Sequence, residues 1–151
     1  LPEIADQVQP TRLQMISTAP ETKIKMQYAV YVRQGWDYWQ QLPDGRIAIG
    51  GGRDLALEQE ATYVVEPTQI MRDYLERKLE DLGVTASIEH HWAAIVSYTN
   101  TGLPMVKEVQ PGVWAVGAYC GTGNVVGALL ARSAVDHCID GLSQVITDFA
   151  S

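Results

Sequence analysis

An apolar stretch near the C-terminal end of the chain leads directly into a glycine-rich turn and then into a helical pattern. Residues 113–116 have the composition of a β-strand, residues 117–127 contain four glycines, and the helical pattern continues to about Ile139. Backbone N–H groups at such a helix start are unpaired and carry the positive end of the helix dipole, which stabilises a phosphate, a carboxylate or an anionic ring oxygen. We therefore expect an electron-rich ligand at this turn.

This turn is not a complete dinucleotide-binding unit. Such a unit needs a second strand and an acidic residue about 20 positions beyond the glycines. Only 24 residues, 128–151, follow Gly127, and their pattern is helical. We therefore interpret the turn as the closing part of a larger cofactor site whose first part lies outside this chain.

Length and charge narrow the classes of partner. The 151 residues suit one domain and can bury a substantial core. The formal net charge is −7 at pH 7 and most basic residues are isolated, which argues against a nucleic-acid groove and against an anionic membrane surface. We expect small molecules or proteins as partners.

The cysteine content and the start of the chain give information on the cellular location of the protein. Cys120 and Cys138 are too far apart to form a metal-binding CxxC pair, and so few cysteines favour a reduced, cytoplasmic setting. Neither a secretion signal nor an apolar run of about 18 residues is present, so membrane spanning is not expected. Because the chain begins at Leu1 without a methionine, we expect an excised fragment or a processed terminus.

The first half of the sequence predicts β-structure. Residues 10–17 and 27–32 have strand patterns. Residues 37–42 and 46–49 flank Pro43-Asp44-Gly45, which predicts a β-hairpin because Asp and Gly favour the turn conformation.

The second half adds helices and further strands. Apolar residues recur at helical spacing over 67–82, with Pro67 suited to the first turn and Gly83 to the C-cap. Residues 86–99 and 105–109 have strand patterns around a turn at 102–104. The predicted fold class is α+β: a mixed, largely antiparallel sheet with a helix on one face, followed by the strand, glycine turn and helix described above.

Aromatic and basic residues near the hairpin are candidates for a substrate pocket. Trp36, Tyr38 and Trp39 can wall an apolar pocket, but Tyr38 and Trp39 alternate faces and core packing is equally consistent with the pattern. Arg46 and Arg53 flank the glycines at 50–52, where either arginine can hold a carboxylate or form a surface salt bridge.

Metal and hydrolytic chemistry have little support. His90 and His91 are adjacent in a predicted strand, point to opposite faces and cannot chelate one ion together. No nucleophile elbow, HExxH motif or phosphate-loop lysine is present. Cys120 precedes the helix start, where a thiolate is stabilised, although a packed neutral thiol is the simpler interpretation.

Four segments also carry motifs in a characteristic order. They are residues 8–15 (VQPTRLQM), 37–53 (DYWQQLPDGRIAIGGGR), 92–104 (WAAIVSYTNTGLP) and 117–124 (GAYCGTGN). These segments resemble the V-x-P-x-R-G-Q strand, the substrate-domain hairpin, the W-x-G-x-x-x-x-T-x-D-x-x-P strand and turn, and the G-x-x-G-x-G segment of one family. That family is the D-amino-acid oxidase (DAO) superfamily of FAD-dependent amine and amino-acid oxidoreductases, and the resemblance is to its C-terminal half.

The resemblance implies that the two parts of the chain have different roles. Residues 1–110 would form the sheet domain that binds substrate and covers the flavin, and residues 111–151 would return to the FAD-binding domain. It implies a cofactor set of Gly117, Gly121, Thr122, Gly123 and Asn124, and a substrate set of Tyr38, Arg53 and Trp92. FAD would be bound in the complete protein, together with the N-terminal half that carries the nucleotide-binding glycines.

Two departures from the family pattern leave the substrate open. Val96 stands where family members that act on amino acids commonly place an arginine for the substrate carboxylate, and Ala94 replaces the usual glycine. The substrate is therefore either an amine without an α-carboxylate or an amino acid whose carboxylate is held by Arg53 or by a residue outside the chain.

Three hypotheses follow for the chain. The leading one is a fragment of an FAD-dependent oxidoreductase that oxidises an amine or amino acid by hydride transfer to flavin and is inactive alone. The alternatives are a non-catalytic binding module that retains the sheet, and a subunit that completes its site with a separate FAD-binding polypeptide.

Because the isolated chain would expose apolar surface along 113–118 and 124–139, we expect it to form homo-oligomers.

Overall fold

The computed structural model describes residues 2–141 and 145–146. The chain forms two compact units, one built from Arg12–Ile95 and the other from residues 2–11 with the described part of 96–151. The domain boundary expected near residue 110 concerns the complete protein and stays a prediction.

A five-stranded sheet carries the unit of residues 12–95. Its order is β2-β3-β4-β1-β5. The strands are β1 (Val8–Thr18), β2 (Val30–Val32), β3 (Asp37–Gln41), β4 (Ile47–Gly51) and β5 (Ile88–Thr99). The pairs β1–β4, β2–β3 and β3–β4 are antiparallel, and helix α2 (Gln69–Asp81) follows the short helix α1 (Leu57–Glu60). The α+β fold class is confirmed.

Helix α2 and one face of the sheet form the core of this unit. The fully buried members are Ile16, Ile47, Ile49, Leu75, Leu79 and Val84. Trp39 packs against this core, so Tyr38 lies on the opposite face of β3. The predicted helix is present but shorter: it begins at Gln69, so Pro67 lies before it, and it ends at Asp81. Gly83, just beyond that end, has a φ of +75° that glycine readily adopts, and the Val84 N–H donates to the Leu79 carbonyl at 2.9 Å.

The predicted hairpin is present, but the strand predicted at 27–32 is shorter. Only Val30–Val32 pairs with β3. Upstream of it, the Met26 N–H donates to the Gln41 side-chain oxygen at 2.9 Å, and Gln41 Nε2 donates to the Ile24 carbonyl at 3.2 Å. A side chain thus takes the place of a partner strand, while Ile24 and Met26 pack against the core.

The other unit contains the predicted C-terminal strand and helix. Strand β6 (Met105–Gln110) pairs antiparallel with β7 (Val113–Gly117). A π-helical turn, Gly123–Gly127, then leads into helix α3 (Ala128–Asp140), which ends at Gly141 in a left-handed conformation. Val106, Leu130 and Ile146 form its buried core. The helix was expected to end near Ile139, and the π-helical turn was not predicted.

Candidate functional site

The glycine turn between β7 and α3 has an unusual backbone. Ala118 (φ +50°), Cys120 (φ +51°) and Gly121 (φ +87°) are all left-handed, and the first two are not glycines. Non-glycine residues adopt this region at a cost, and they keep it only where the surrounding structure fixes it. Here the Cys120 N–H donates to the Ser97 carbonyl at 3.3 Å, and the Thr122 N–H donates to the Tyr119 carbonyl at 2.9 Å.

The turn presents backbone donors at the start of the helix. The Val125 and Val126 N–H groups donate to the Thr122 carbonyl at 3.3 and 3.1 Å. Within the described ranges, the amides of Gly121, Gly123 and Asn124 donate to no protein acceptor. Together with the dipole of α3, these donors favour an anionic oxygen. The predicted cofactor residues therefore fit the electron-rich edge of a flavin ring.

The glycines of this turn differ in their surroundings. A Cβ placed on Gly123 would lie 3.3 Å from Cδ2 of Tyr119, and one on Gly127 would lie 3.2 Å from Cε2 of the same ring. A side chain at either position would therefore require the Tyr119 ring to shift by a few tenths of an ångström. A Cβ on Gly117 would meet nothing within 4 Å.

Cys120 has a packing role beside this turn. Its Sγ accepts from the Thr99 N–H at 3.4 Å and donates to the Ala118 carbonyl at 3.2 Å. Thr99 Oγ1 in turn donates to the Leu103 carbonyl at 2.6 Å. These contacts tie the turn at 99–104 to the glycine turn.

A cavity of about 620 Å³ lies along 99–107 and is also lined by Asp6 and Gln7.

The predicted substrate residues lie in the unit of residues 12–95. Tyr38 stacks on Tyr31 with ring centroids 6.2 Å apart, and Arg53 Cζ lies 4.4 Å from the ring centroid of Trp36. Trp92 lies on β5 with 38% of its surface exposed. Trp36 and Arg53 thus form a cation–π pair.

Close packing explains the three consecutive glycines. A Cβ on Gly50 would lie 2.6 Å from Cε2 of Tyr38, and one on Gly51 would lie 2.8 Å from Cα of Asp37. At Gly52, where φ is +77°, it would lie 2.7 Å from Cε1 of Tyr74. Each position is thus closed to a side chain by a neighbour in the same unit.

A buried carboxylate that the sequence analysis missed lies next to this segment. Asp37 is 1% exposed, and both of its oxygens accept from the Tyr74 hydroxyl at 2.8 Å. Arg33 Nη1 donates to Asp37 at 3.0 Å and to the Tyr74 oxygen at 2.7 Å, and Lys78 Nζ lies 3.7 Å from Asp37. Burial and the Asp37 charge raise the pKa of Tyr74 to about 12. Its hydroxyl therefore stays protonated and donates.

A second buried ion pair gives a physical reason for the arginine and glutamine of the 8–15 motif. Arg12 donates to Glu60 through Nε at 2.9 Å and through Nη2 at 3.0 Å, and to the Glu66 carbonyl at 3.0 Å. Gln14 Nε2 donates to both Glu60 oxygens at 3.0 Å, and its Oε1 accepts from the Thr68 N–H at 2.7 Å. The hydrogen bond to Glu60 raises the pKa of Arg12. Both motif side chains thus hold the segment 57–68.

His90 and His91 lie in different environments. His90 is exposed, whereas the Nε2 atom of His91 is buried with no hydrogen-bond partner among the described residues. Burial, followed by the nearby charge of Arg72, lowers the pKa of His91. In the described part of the chain, no three His, Cys, Asp or Glu side chains are grouped so that they could hold a metal ion.

The family described as DAO, FAD dependent oxidoreductase, matches residues 1–137 of the chain. The chain belongs to this family. It is 31% identical over 104 residues to a "Probable oxidoreductase OrdL" from Rhizobium meliloti, a match that covers 65% of this chain and 23% of that protein. The DAO-family resemblance seen in the motifs is therefore confirmed.

Two solved structures share the fold. Glycine oxidase from Bacillus cereus superposes with a TM-score of 0.72 at 15% identity, covering 95% of this chain and 39% of its own. L-proline dehydrogenase from P. horikoshii gives a TM-score of 0.70 at 16% identity, covering 91% and 37%. The chain thus spans less than two fifths of these proteins.

The structure places the two predicted sets in different units. The cofactor set, 117–124, lies in the unit that contains α3, and the substrate set lies in the unit of residues 12–95. The contacts within each set are those described above.

Among the described residues, no helix has the length and apolar character needed to cross a membrane.

Proposed function

We propose that this chain is part of an FAD-dependent oxidoreductase that oxidises an amine or an amino acid. The observation that carries the proposal is the left-handed glycine turn before α3, with the amides of Gly121, Gly123 and Asn124 available at the positive end of the helix. When bound, FAD would supply the acceptor for a hydride from the substrate C–H bond. DAO-family membership supports this reaction class.

The residues of the chain would hold the flavin and orient the substrate, and they would not transfer protons. The amides of Gly121, Gly123 and Asn124, with Gly117 and Thr122, would bind the flavin edge and stabilise negative charge there. Residues 1–110 would cover the ring and position the substrate carbon, and 111–151 would belong to the FAD-binding domain. Positioning of this kind requires no strong acid or base from this chain.

The proposed substrate class follows from the three predicted substrate residues and from Val96. Tyr38, Arg53 and Trp92 would contact an amine or amino acid, and Val96 offers no charge for a carboxylate. Glycine oxidase and L-proline dehydrogenase are named for amino-acid substrates, which is compatible with this class.

We propose an N-terminal FAD-binding half as the main partner of the chain, in a cytoplasmic setting. Val125, Leu129, Val135 and Ile139 each leave more than half of their side chains exposed on the π-helical turn and α3. The partner half would cover such a surface, and without it we propose that the chain is inactive and self-associates. A single monomer in sedimentation over a concentration series would contradict self-association.

The first test is flavin retention. The chain alone and the complete protein would each be mixed with excess FAD, dialysed and examined for visible flavin absorbance. We expect colour only with the complete protein, which should then be bleached by an amine or amino acid under anaerobic conditions. A complete protein that stays colourless would favour the non-catalytic module, and colour restored only by a second, separate polypeptide would favour a two-chain site.

A substitution in the turn tests the cofactor residues. Gly123→Val in the complete protein would introduce a branched side chain 3.3 Å from Tyr119 and beside the proposed flavin edge, and we expect lower flavin content. Ala61→Val introduces the same side chain at an exposed position of the other unit and serves as the control. Circular dichroism would check that both variants are folded. Unchanged flavin content in a folded Gly123→Val protein would contradict the assignment.

A further inference from the structure

One row of residues crosses four strands of the sheet on the face that points away from α2. Tyr31 of β2 lies directly opposite Tyr38 of β3. Tyr38 lies opposite Gly50 of β4, and Gly50 lies opposite Met15 of β1. Directly opposite residues of antiparallel strands share a face. Because Trp39, the next residue along β3, packs into the core with α2, this row faces the other way.

The glycine of this row is covered by its two neighbours. A Cβ on Gly50 would lie 2.6 Å from Cε2 of Tyr38 and 2.7 Å from Cγ of Met15. The Tyr38 ring therefore leans over the glycine from one side, and Met15 reaches over it from the other. The space above Gly50 is thus filled largely by a ring that belongs to another strand, and it would open if that ring turned away.

Tyr31 is placed to hold the Tyr38 ring in this position. The two rings stack with centroids 6.2 Å apart and with an angle of 27° between their planes, a geometry in which aromatic rings attract each other. The hydroxyl end of Tyr31 lies over Gly35, where a Cβ would overlap the Oη and Cζ atoms of Tyr31. Although Tyr31 is 71% exposed, its ring thus lies between a glycine and a second ring.

We infer that Tyr31 is a positioning residue that keeps Tyr38 over Gly50 and thereby restricts the substrate to a small substituent on the reacting carbon. The inference rests on the proposed function, in which Tyr38 contacts the substrate, and deepens it by naming the size class of the substrate. A larger substituent would have to displace Tyr38 from its stack on Tyr31. The contribution of such an aromatic pair corresponds to about a two- to tenfold loss of affinity.

The experiment compares substrates that differ by a benzyl group on the reacting carbon. Glycine would be paired with racemic phenylalanine, and methylamine with 2-phenylethylamine, so that one pair carries a carboxylate and the other does not. The complete flavoprotein would be assayed as wild type and as Tyr31→Ala, and the KM of the large compound would be divided by the KM of the small one. We expect wild type to favour the small compound, and Tyr31→Ala to lower this KM ratio by about two- to tenfold.

Three further variants test the ring pair itself. Tyr31→Phe keeps the ring and should retain the wild-type KM ratio. Tyr28→Ala removes a tyrosine that is equally exposed, at 72%, but lies outside the row, and it should leave the ratio unchanged. In a Tyr38→Ala background, Tyr31→Ala should have no further effect on the ratio, because the ring that it holds is already gone.

A glycine substitution displaces Tyr31 without removing its ring. In Gly35→Ala the new methyl group would take the place of the hydroxyl end of Tyr31, so the KM ratio should fall as it does in Tyr31→Ala. Gly45→Ala is the control for backbone strain, because its φ of +91° matches the +90° of Gly35 while its Cβ would lie 3.4 Å from Pro20. This control should leave the ratio unchanged. If Gly35→Ala does not fold, Tyr31→Ala decides.

The outcomes separate this inference from the proposed function. A wild type that favours the large compounds, a ratio that Tyr31→Ala leaves unaltered, or an equal fall in Tyr28→Ala would overturn the inference. A yellow wild-type protein that oxidises none of the four compounds would count against the proposed function. Calorimetric titration with phenylalanine and 2-phenylethylamine would then test the inference without turnover: tighter binding by Tyr31→Ala than by wild type supports it, and equal binding, or none by either protein, overturns it.

Discussion

Replacing Glu60 by glutamine should destabilise the unit of residues 12–95 more than any surface substitution would. The side chains of Arg12 and Glu60 are 7% and 1% exposed, and two hydrogen bonds join them. A glutamine keeps one oxygen acceptor but turns an NH₂ group towards donors of Arg12 or Gln14. The guanidinium would then remain buried without its counter-charge.

The magnitude follows from that burial. Breaking a buried ion pair by removing one partner costs about 3–5 kcal/mol. For a chain of this length about 1 kcal/mol lowers the melting temperature by about 2–4 °C, so the expected fall is about 6–20 °C. Urea denaturation followed by tryptophan fluorescence would measure the free energy of unfolding, and Trp36, Trp39 and Trp92 all report on this unit.

The chain offers a matched control. Arg72 and Glu76 on α2 form an Arg–Glu pair at 2.7 Å, but their side chains are 40% and 38% exposed. Glu76→Gln should cost less than about 1 kcal/mol because solvent screens the pair. A loss for Glu60→Gln as small as that for Glu76→Gln would refute the argument from burial.

A double-mutant cycle would separate the pair from its surroundings. Arg12→Met removes donors to the carbonyls of Gln59, Val64 and Glu66, which lie 3.3, 3.4 and 3.0 Å from the guanidinium nitrogens. Combining Arg12→Met with Glu60→Met should cost less than the sum of the single losses, since no unpaired charge is left. The double variant should still be less stable than wild type because those carbonyls lose their donors.

Two other perturbations test local features. Because the folded-state pKa of His91 is lowered, the unfolded chain binds its proton more readily, so stability should fall as pH drops through 6.5, the ordinary value, towards the folded pKa. His91→Gln should flatten that slope in urea midpoints measured across this range, His90→Gln should not, and equal slopes in all three proteins would contradict the reasoning. Gly52→Ala should cost about 1–3 kcal/mol more than Gly112→Ala, since both positions are left-handed but only the first would collide with Tyr74. Equal losses in thermal unfolding would show that the ring gives way.

The parts of the fold that were predicted correctly depend on neighbours in sequence. The hairpin around Gly45 and the helix that ends before Gly83 follow from turn chemistry and helical spacing over a few residues. The π-helical turn at Gly123–Gly127 was missed because its glycines fit an ordinary helix start equally well. Gln41 was missed as the partner of Met26 because a side chain that replaces a strand has no periodic pattern.

In the candidate site, too, the features that were predicted correctly depend on residues close together in sequence. The glycine turn was identifiable from its composition, and the alternation of Tyr38 and Trp39 correctly placed one ring in the core. Asp37 and Glu60 were overlooked because an acidic residue in a polar stretch normally faces solvent, and their partners lie up to 48 residues away. A polar residue at a core-facing strand position, such as Arg12, was the available signal that a distant counter-charge exists.

The short strand β2 has a consequence for how the protein behaves in a crowded solution. A sheet edge offers its unpaired backbone groups to other chains, and a long, flat edge promotes aggregation. Here the β2 edge has only three residues, with left-handed residues directly after it. Just before it, the Met26 amide is already engaged by Gln41. An approaching chain would therefore find too few consecutive donors and acceptors on that edge to add another strand.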